Sequence, residues 1–377
     1  MPLAEDVQLI SVDDHIVEGP KVWEDRLPKA MRDAGPRVLK TPEGYDAWHF
    51  EGARFPYIGI NAVVGREPVD FGLEPMTYSD MRPGCYEVAD RITDMDRDGV
   101  HAQLCFPSFP GFCGKVFFSA SDKDLAAHCV RAWNDFSIDE WCSHAPDRFI
   151  PLALIPFWDP AASAKEIERV AAKGARAISF SDNPTHFGLP SFHSDHWDPI
   201  LAAAHDADLP LCLHFGSGGA PVVSSDAPFI VEIAQYGLKS MSATAELLLS
   251  PVFHKFPRLK VALSEGGVGW MPYILERLDY TWERHRWYQE VNREIPPSEL
   301  FRDHIFGCFI SDASGVRERN TIGVENLMWE SDYPHSDGNW PNSRTRLAMS
   351  LKDVPDDDAR QIAELNARRV FRFPRSA

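Results

Sequence analysis

The stretch Ile10–Glu18 reads ISVDDHIVE, and it decides how the rest of the chain is read. An apolar run ends in Asp13 and His15, two residues apart. On a strand, side chains at i and i+2 share a face, so a carboxylate and an imidazole reach one common point at the strand end. An oxygen and a nitrogen donor aimed at one point is how a strand begins a divalent-metal site. Such a site needs further donors at the ends of later strands.

Those strands are legible as short, continuously apolar runs: 7–12, 102–107, 149–156, 175–181, 209–215, 259–264, 304–311 and 326–330. Continuous rather than alternating apolarity fits parallel strands covered on both faces. Between them lie helix-length segments with start signals at Ser121–Asp122, Asp159–Pro160 and Asp195–His196, and a Gly174 stop. Eight β/α units of this spacing predict a (β/α)8 TIM barrel of the α/β class. An open doubly wound sheet is disfavoured, because no glycine-rich turn follows the first strand.

Two stretches break the alternation. Residues 28–82 are rich in Pro, Gly and aromatics and read as an insertion after the first strand, lying as a lid over the mouth. Residues 355–371 read as a C-terminal helix that completes the outer layer. The simplest organisation is one domain over 1–377 carrying one insertion. The insertion's Trp48, Phe50, Phe55, Tyr57 and Phe71 suit a small core of its own or a subunit interface better than a substrate wall.

Composition sets outer bounds. With 44% hydrophobic residues in 377, the chain can bury a large core. A formal net charge of -18 speaks against nucleic-acid or anionic-membrane partners. The seven cysteines form no CxxC pair and read as buried free thiols of a reducing compartment. No signal peptide or membrane-length apolar run is seen, which points to a cytoplasmic enzyme.

In a parallel barrel the loops after the strands carry the site. Besides Asp13 and His15, the fifth strand ends in His214, the sixth in Glu265, and the eighth in Asp332, followed by His335 and Asp337. Any one of these has an ordinary reading, such as a hydrogen-bonded core histidine or a turn-capping aspartate. Gathered at one mouth they are costly to bury unless something neutralises them. A divalent metal does so, and the mixed N/O set Asp13, His15, His214 and Asp332 is borderline between zinc, manganese and iron.

Taken together, DDHIVE, MRPGCYEVADRITDMDRDGV, LCLHFGS, KFPRLKVALSEGGVGWMPYILERLD and WESDYPHSDGNWP resemble the amidohydrolase superfamily. The similarity is to its amidohydrolase-related group, which includes aminocarboxymuconate semialdehyde decarboxylase and aromatic-acid decarboxylases. It spans nearly the whole chain. The resemblance implies that the family's first-strand His-x-His falls on Asp13-x-His15, its fifth-strand His on His214 and its eighth-strand Asp on Asp332. It departs at the sixth strand, where the decarboxylases show His-Gly and this chain has Glu265-Gly266. Relatives with a similar glutamate look like two-metal, oxygen-activating enzymes on the same barrel.

Three functions follow as expectations. The first is a hydrolase or decarboxylase using one divalent ion, zinc first, on a small organic acid or amide. In it Asp332 and Glu265 are the catalytic groups, and Arg82, Arg54 and His335 bind substrate. The second is a dinuclear iron or iron-manganese oxygenase with His285 added to Asp13, His15, His214, Glu265 and Asp332. The third is a structural paralogue subunit. Barrels of this type often pair, so a homodimer, or a complex with a paralogue, is the expected assembly.

Overall fold

Pro151 interrupts one strand of an otherwise regular parallel ring. The protein is described by a computed structural model covering residues 3–59, 61–72 and 76–375. Its strands are β1 (Leu9–Ile16), β2 (Arg37–Lys40), β3 (Asp46–Phe50), β4 (Ala53–Phe55), β5 (Val100–Pro107), β6 (Phe149–Ile150), β7 (Leu152–Ala153), β8 (Ala177–Ser181), β9 (Leu211–His214), β10 (Val261–Ser264), β11 (Ile305–Phe309) and β12 (Leu327–Trp329). One parallel sheet runs β1-β5-β6 and the other β7-β8-β9-β10-β11-β12.

The two sheets share the segment read from sequence as a single strand, 149–156. Pro151 has no N–H to donate, so the ladder breaks there. Its carbonyl still accepts the Arg176 amide at 2.8 Å. At the other edge, the residues after β12 bond to β1: Asp332 N–H to Asp13 O at 2.9 Å and His15 N–H to Tyr333 O at 2.7 Å. These bonds join the first strand to the last, giving the barrel expected from the eight apolar runs.

Two helices start where the capping residues predict, whereas Asp195–His196 lie in a 3-10 turn capped by Ser194 and the α-helix there begins at Asp198. Asp122 caps Lys123–Phe136 by accepting the amides of Asp124 and Leu125, and Asp159 caps Pro160–Ala172 by accepting from Ala162. Gly174 ends the latter unit at φ +100°, a backbone region open to glycine. Because each helix runs back along the strand before it, helix N-termini and strand C-termini share one end, the mouth.

Inside the ring, Ile10, Val12, Leu104, Phe106, Cys212 and Met328 form an apolar plug with Ala367, Val370 and Phe371. The C-terminal helical segment therefore does more than finish the outer layer; it stoppers the barrel floor. All seven cysteines are buried and unpaired. Among the described residues, no helix is long and apolar enough to cross a membrane.

The insertion contains an antiparallel sheet, β2-β3-β4, that the aperiodic reading of 28–82 missed. Its signal was a Pro/Gly turn, TPEG, between two short strand-like runs. Trp48 and Phe50 pack with Trp23, Phe109 and Phe117, whereas Tyr57 is exposed. Backbone bonds from Val63 and Val64 to Pro334 O (3.1 and 3.0 Å) lay the insertion against the loop that carries Asp332.

Candidate metal centre

The sequence reading ended β1 at Val12, but the strand continues to Ile16, so the Asp-x-His pair lies on the strand itself. The register with β5 shifts between Ser11 and Asp14. That irregularity re-aims Asp13 into the barrel, on the same side as His15.

Six side chains then converge. His15 Nε2 lies 3.3 Å from Asp13 Oδ1 and 3.2 Å from Asp332 Oδ1. His214 Nε2 lies 3.4 Å from Asp13 Oδ2 and 3.3 Å from Glu265 Oε2. His335 Nδ1 approaches Asp332 Oδ1 to 2.8 Å. Two triads, Asp13/His15/His214 and His15/Asp332/His335, each place their donor atoms within 4.8 Å of one another.

These groups are buried and short of partners. Both carboxylate oxygens of Asp13 and of Asp332, both ring nitrogens of His15, and His214 Nε2 lack a hydrogen bond. Orphaned buried polar atoms are rare in native proteins and call for an explanation. His214 Nδ1 contacts Phe215 O at 2.7 Å, which fixes Nδ1 as the donor and leaves the Nε2 lone pair facing the cluster. Phe112 stacks on that imidazole at 3.7 Å and holds its plane.

Electrostatics support the same conclusion. Burial, reinforced by mutual repulsion, pushes the carboxyls of Asp13, Asp332 and Glu330 well above their ordinary range. Burial pushes Glu265 up to about 8. It also holds His15 well below its usual value and lowers His214 to about 3. Neutral imidazoles beside crowded carboxyls are what a divalent cation relieves and binds. Glu265 and Asp332 sit in the left-handed backbone region, at φ 56° and 55°, a cost tolerated where the surroundings impose it.

Glu330 was not among the residues singled out from sequence. It is fully buried; its Oε2 accepts the Glu265 amide at 3.1 Å and its Oε1 has no partner. The signal was available, since Glu330-x-Asp332, just past the last strand, repeats the spacing of Asp13-x-His15. Asp14 and Arg91 brace the cluster from behind. Asp14 Oδ1 accepts the Tyr333 amide at 3.0 Å, and Arg91 donates to His15 O at 2.5 Å and Gly84 O at 2.6 Å.

Three sequence-based placements are corrected. His285 is the last residue of the helix Met271–His285, exposed and bonded to the Tyr288 hydroxyl. That helix starts at the mouth, and 15 residues at about 1.5 Å each carry His285 to the far end of the barrel. Arg54 is exposed on β4, opposite His49. Arg82 is occupied: its fork grips Asp94 at 3.0 and 2.5 Å, and its guanidinium rests on Trp340 at 4.3 Å. His335, expected at the substrate, lies in the cluster, against Asp332. Beside the cluster opens a cavity of about 610 Å³ whose lining includes Tyr236, Glu265, Trp270, Phe309, Glu330 and Asp337.

Comparison with known proteins agrees with this architecture. A gamma-resorcylate decarboxylase from Rhizobium radiobacter is 25% identical over 313 residues, covering 75% of this chain and 86% of the relative. An amidohydrolase from Mycobacterium avium subsp. paratuberculosis K-10 superposes with a TM-score of 0.75 at 20% identity, over 98% of this chain and 100% of that one. The 5-carboxyvanillate decarboxylase of Novosphingobium aromaticivorans DSM 12444, complexed with manganese and 4-hydroxy-3-methoxy-5-nitrobenzoic acid, gives 0.69 at 19% identity, over 97% and 96%. The family described as Amidohydrolase matches residues 11–373, and the chain belongs to it.

Proposed function

We propose that the protein is a metal-dependent decarboxylase of a small aromatic carboxylic acid, working at the barrel mouth. The observation that carries this reading is the buried, partnerless cluster Asp13, His15, His214 and Asp332. The gamma-resorcylate decarboxylases among its relatives supply the reaction class. These four residues would hold the ion, with His335 steadying Asp332. The ion would supply positive charge to a substrate oxygen. The sequence placed zinc first. The extra carboxylates at the site favour manganese or iron, as does manganese in the 5-carboxyvanillate enzyme.

The chain's own groups do the rest. Glu265, nearly buried and 3.3 Å from His214 Nε2, is the carboxyl placed to carry a proton to the substrate. It would deliver that proton to the ring carbon as the bond to the carboxylate breaks and carbon dioxide leaves. Solvent entering the cavity would then return a proton to Glu265. The glutamate thereby takes the place of the sixth-strand histidine that the family resemblance led one to expect. Trp270 and Phe309 offer the flat apolar surface an aromatic ring needs.

The test is carbon dioxide release from hydroxybenzoic acids by manganese-loaded protein, with Glu265→Gln as control. Absence of release across such acids defeats the reading. A second reading, a dinuclear oxygenase, is favoured by one observation: Glu265 and Glu330 add two carboxylates beyond what one ion needs. Two redox-active metals per chain, with oxygen uptake on adding substrate, would establish it. One metal with carbon dioxide release would remove it.

A further inference from the structure

We infer that the cavity beside the cluster selects a substrate whose remote end is a hydrogen-bond donor, a hydroxyl or an amine, and rejects a second carboxylate. This rests on the decarboxylase reading and narrows it to acids with a single anionic group.

Among the described residues lining the cavity there is no Lys or Arg, while four are carboxylates: Glu265, Asp312, Glu330 and Asp337. They are not equivalent. Asp312 is satisfied by the amides of Val268, Gly269 and Gly315, at 2.8, 2.6 and 2.8 Å, and serves the backbone. Glu330 is different, being fully buried on the cavity wall with Oε1 unpartnered. Asp337 is exposed on the rim, and its charge reaches both Glu265 and Asp332.

Three cations near the cavity are engaged elsewhere. Arg82 is forked onto Asp94, Arg91 is buried under Tyr333 and bonded to His15 O, and Lys239 donates to Gly218 O at 3.1 Å. Charge balance then decides. With the proton kept on Glu265, Asp13, Glu330 and Asp332 total three negative charges when ionised. One divalent ion leaves one, and two ions overshoot by one positive charge. Asp337 adds one negative charge in either case, so neither loading makes the cavity positive. The substrate's first carboxylate can be met by the metal, but nothing in the cavity meets a second, which would lie unpaired in a partly desolvated acidic site. A phenol or ammonium at that end finds an acceptor in Asp337, exposed at the rim. The walls of Tyr236 (its ring stacked on Phe215 at 3.7 Å), Trp270 and Phe309 accept the ring between them. At about 610 Å³ the space suits a ligand of one or two rings.

Calorimetric titration of the full-length, manganese-loaded protein with 4-hydroxybenzoate, 4-(aminomethyl)benzoate and terephthalate tests this without requiring turnover. Terephthalate is expected to bind about tenfold or more weakly than either of the others, because like charges repel at low effective dielectric. Asp337→Lys, an exposed change that the fold tolerates, is expected to close the gap. Terephthalate binding as tightly as 4-hydroxybenzoate overturns the inference, as does a gap unchanged in Asp337→Lys. Failure of all three probes to bind overturns the carboxylic-acid reading and this inference with it, so the two failures are distinguishable.

Discussion

The amide of Asp332 donates to the carbonyl of Asp13 at 2.9 Å. This one bond joins the last barrel strand to the first and sets the two carboxylates of the candidate centre side by side. Closing the barrel and assembling the site are therefore the same event. A change that loosens this seam should loosen the site.

Asp332→Asn and His214→Ala each remove a donor from a different triad. Metal content, measured by elemental analysis after gel filtration, is expected to fall in both, with affinity lower by at least about 10–100-fold. Far-ultraviolet circular dichroism should stay unchanged, since the barrel floor is packed independently by Val370, Phe371 and Met328. Full metal occupancy in both variants would refute the centre as drawn.

Chelation should make stability fall as pH rises from about 6.5 to 8. Glu265 is pushed from its usual 4.5 to about 8 in the folded protein, so over this range the native state holds a proton that the unfolded chain has lost. Stability contributed by that proton is full below the unfolded value and disappears as pH climbs through the folded one. His214, lowered to about 3, acts in the opposite sense but only below its usual 6.5, where the unfolded chain takes up a proton. Thermal unfolding of chelated protein at several pH values reads the slope. Restoring the metal should flatten it.

Arg91→Met should cost about 3 kcal/mol or more, because it strands three buried acceptors at about 1 kcal/mol or more each. Arg91 is fully buried, and its guanidinium bonds Gly84 O, Gln103 Oε1 and His15 O while facing the Tyr333 ring at 4.2 Å. Arg91→Lys should rescue little, because an ammonium cannot reproduce the planar fork. Urea unfolding gives the stability change, and metal titration shows whether His15 has lost its position.

Glu18→Ala should destabilise by about 3 kcal/mol, since it strands three buried donors at about 1 kcal/mol or more each. Its carboxylate accepts the amides of Ser108 (3.0 Å) and Phe109 (2.9 Å) and the indole N–H of Trp133 (3.0 Å). Glu18→Gln keeps one acceptor oxygen and should cost less. Thermal shift reads both variants, and a neutral Glu18→Ala would show that the three donors find water instead.

Much of the site was readable because its parts recur at fixed places in a repeating unit. His214, Glu265 and Asp332 each follow an apolar run, and a parallel barrel brings every strand end to one mouth. Glu330 was passed over although it lies two residues before Asp332, because it looked like the last residue of the strand rather than part of its chemistry. His285 drew attention by its type and its aromatic neighbours. Nothing local to that helix says which end of it faces the mouth. Arg82 looked free in sequence, but the helix Val88–Asp98 that follows it places Asp94 in its fork.

The sequence alone determined the strand and helix alternation, the caps at Asp122 and Asp159, and the strand-end donors, since each depends on neighbours within a few residues. Tertiary structure alone decided which donors share a point. The register of β1 against β5, shifted between Ser11 and Asp14, and the bond from Asp332 to Asp13 join residues distant in the chain. It also decided the character of the cavity. A residue's charge is written in the sequence, but whether a neighbour has already neutralised it depends on distances that exist only after folding.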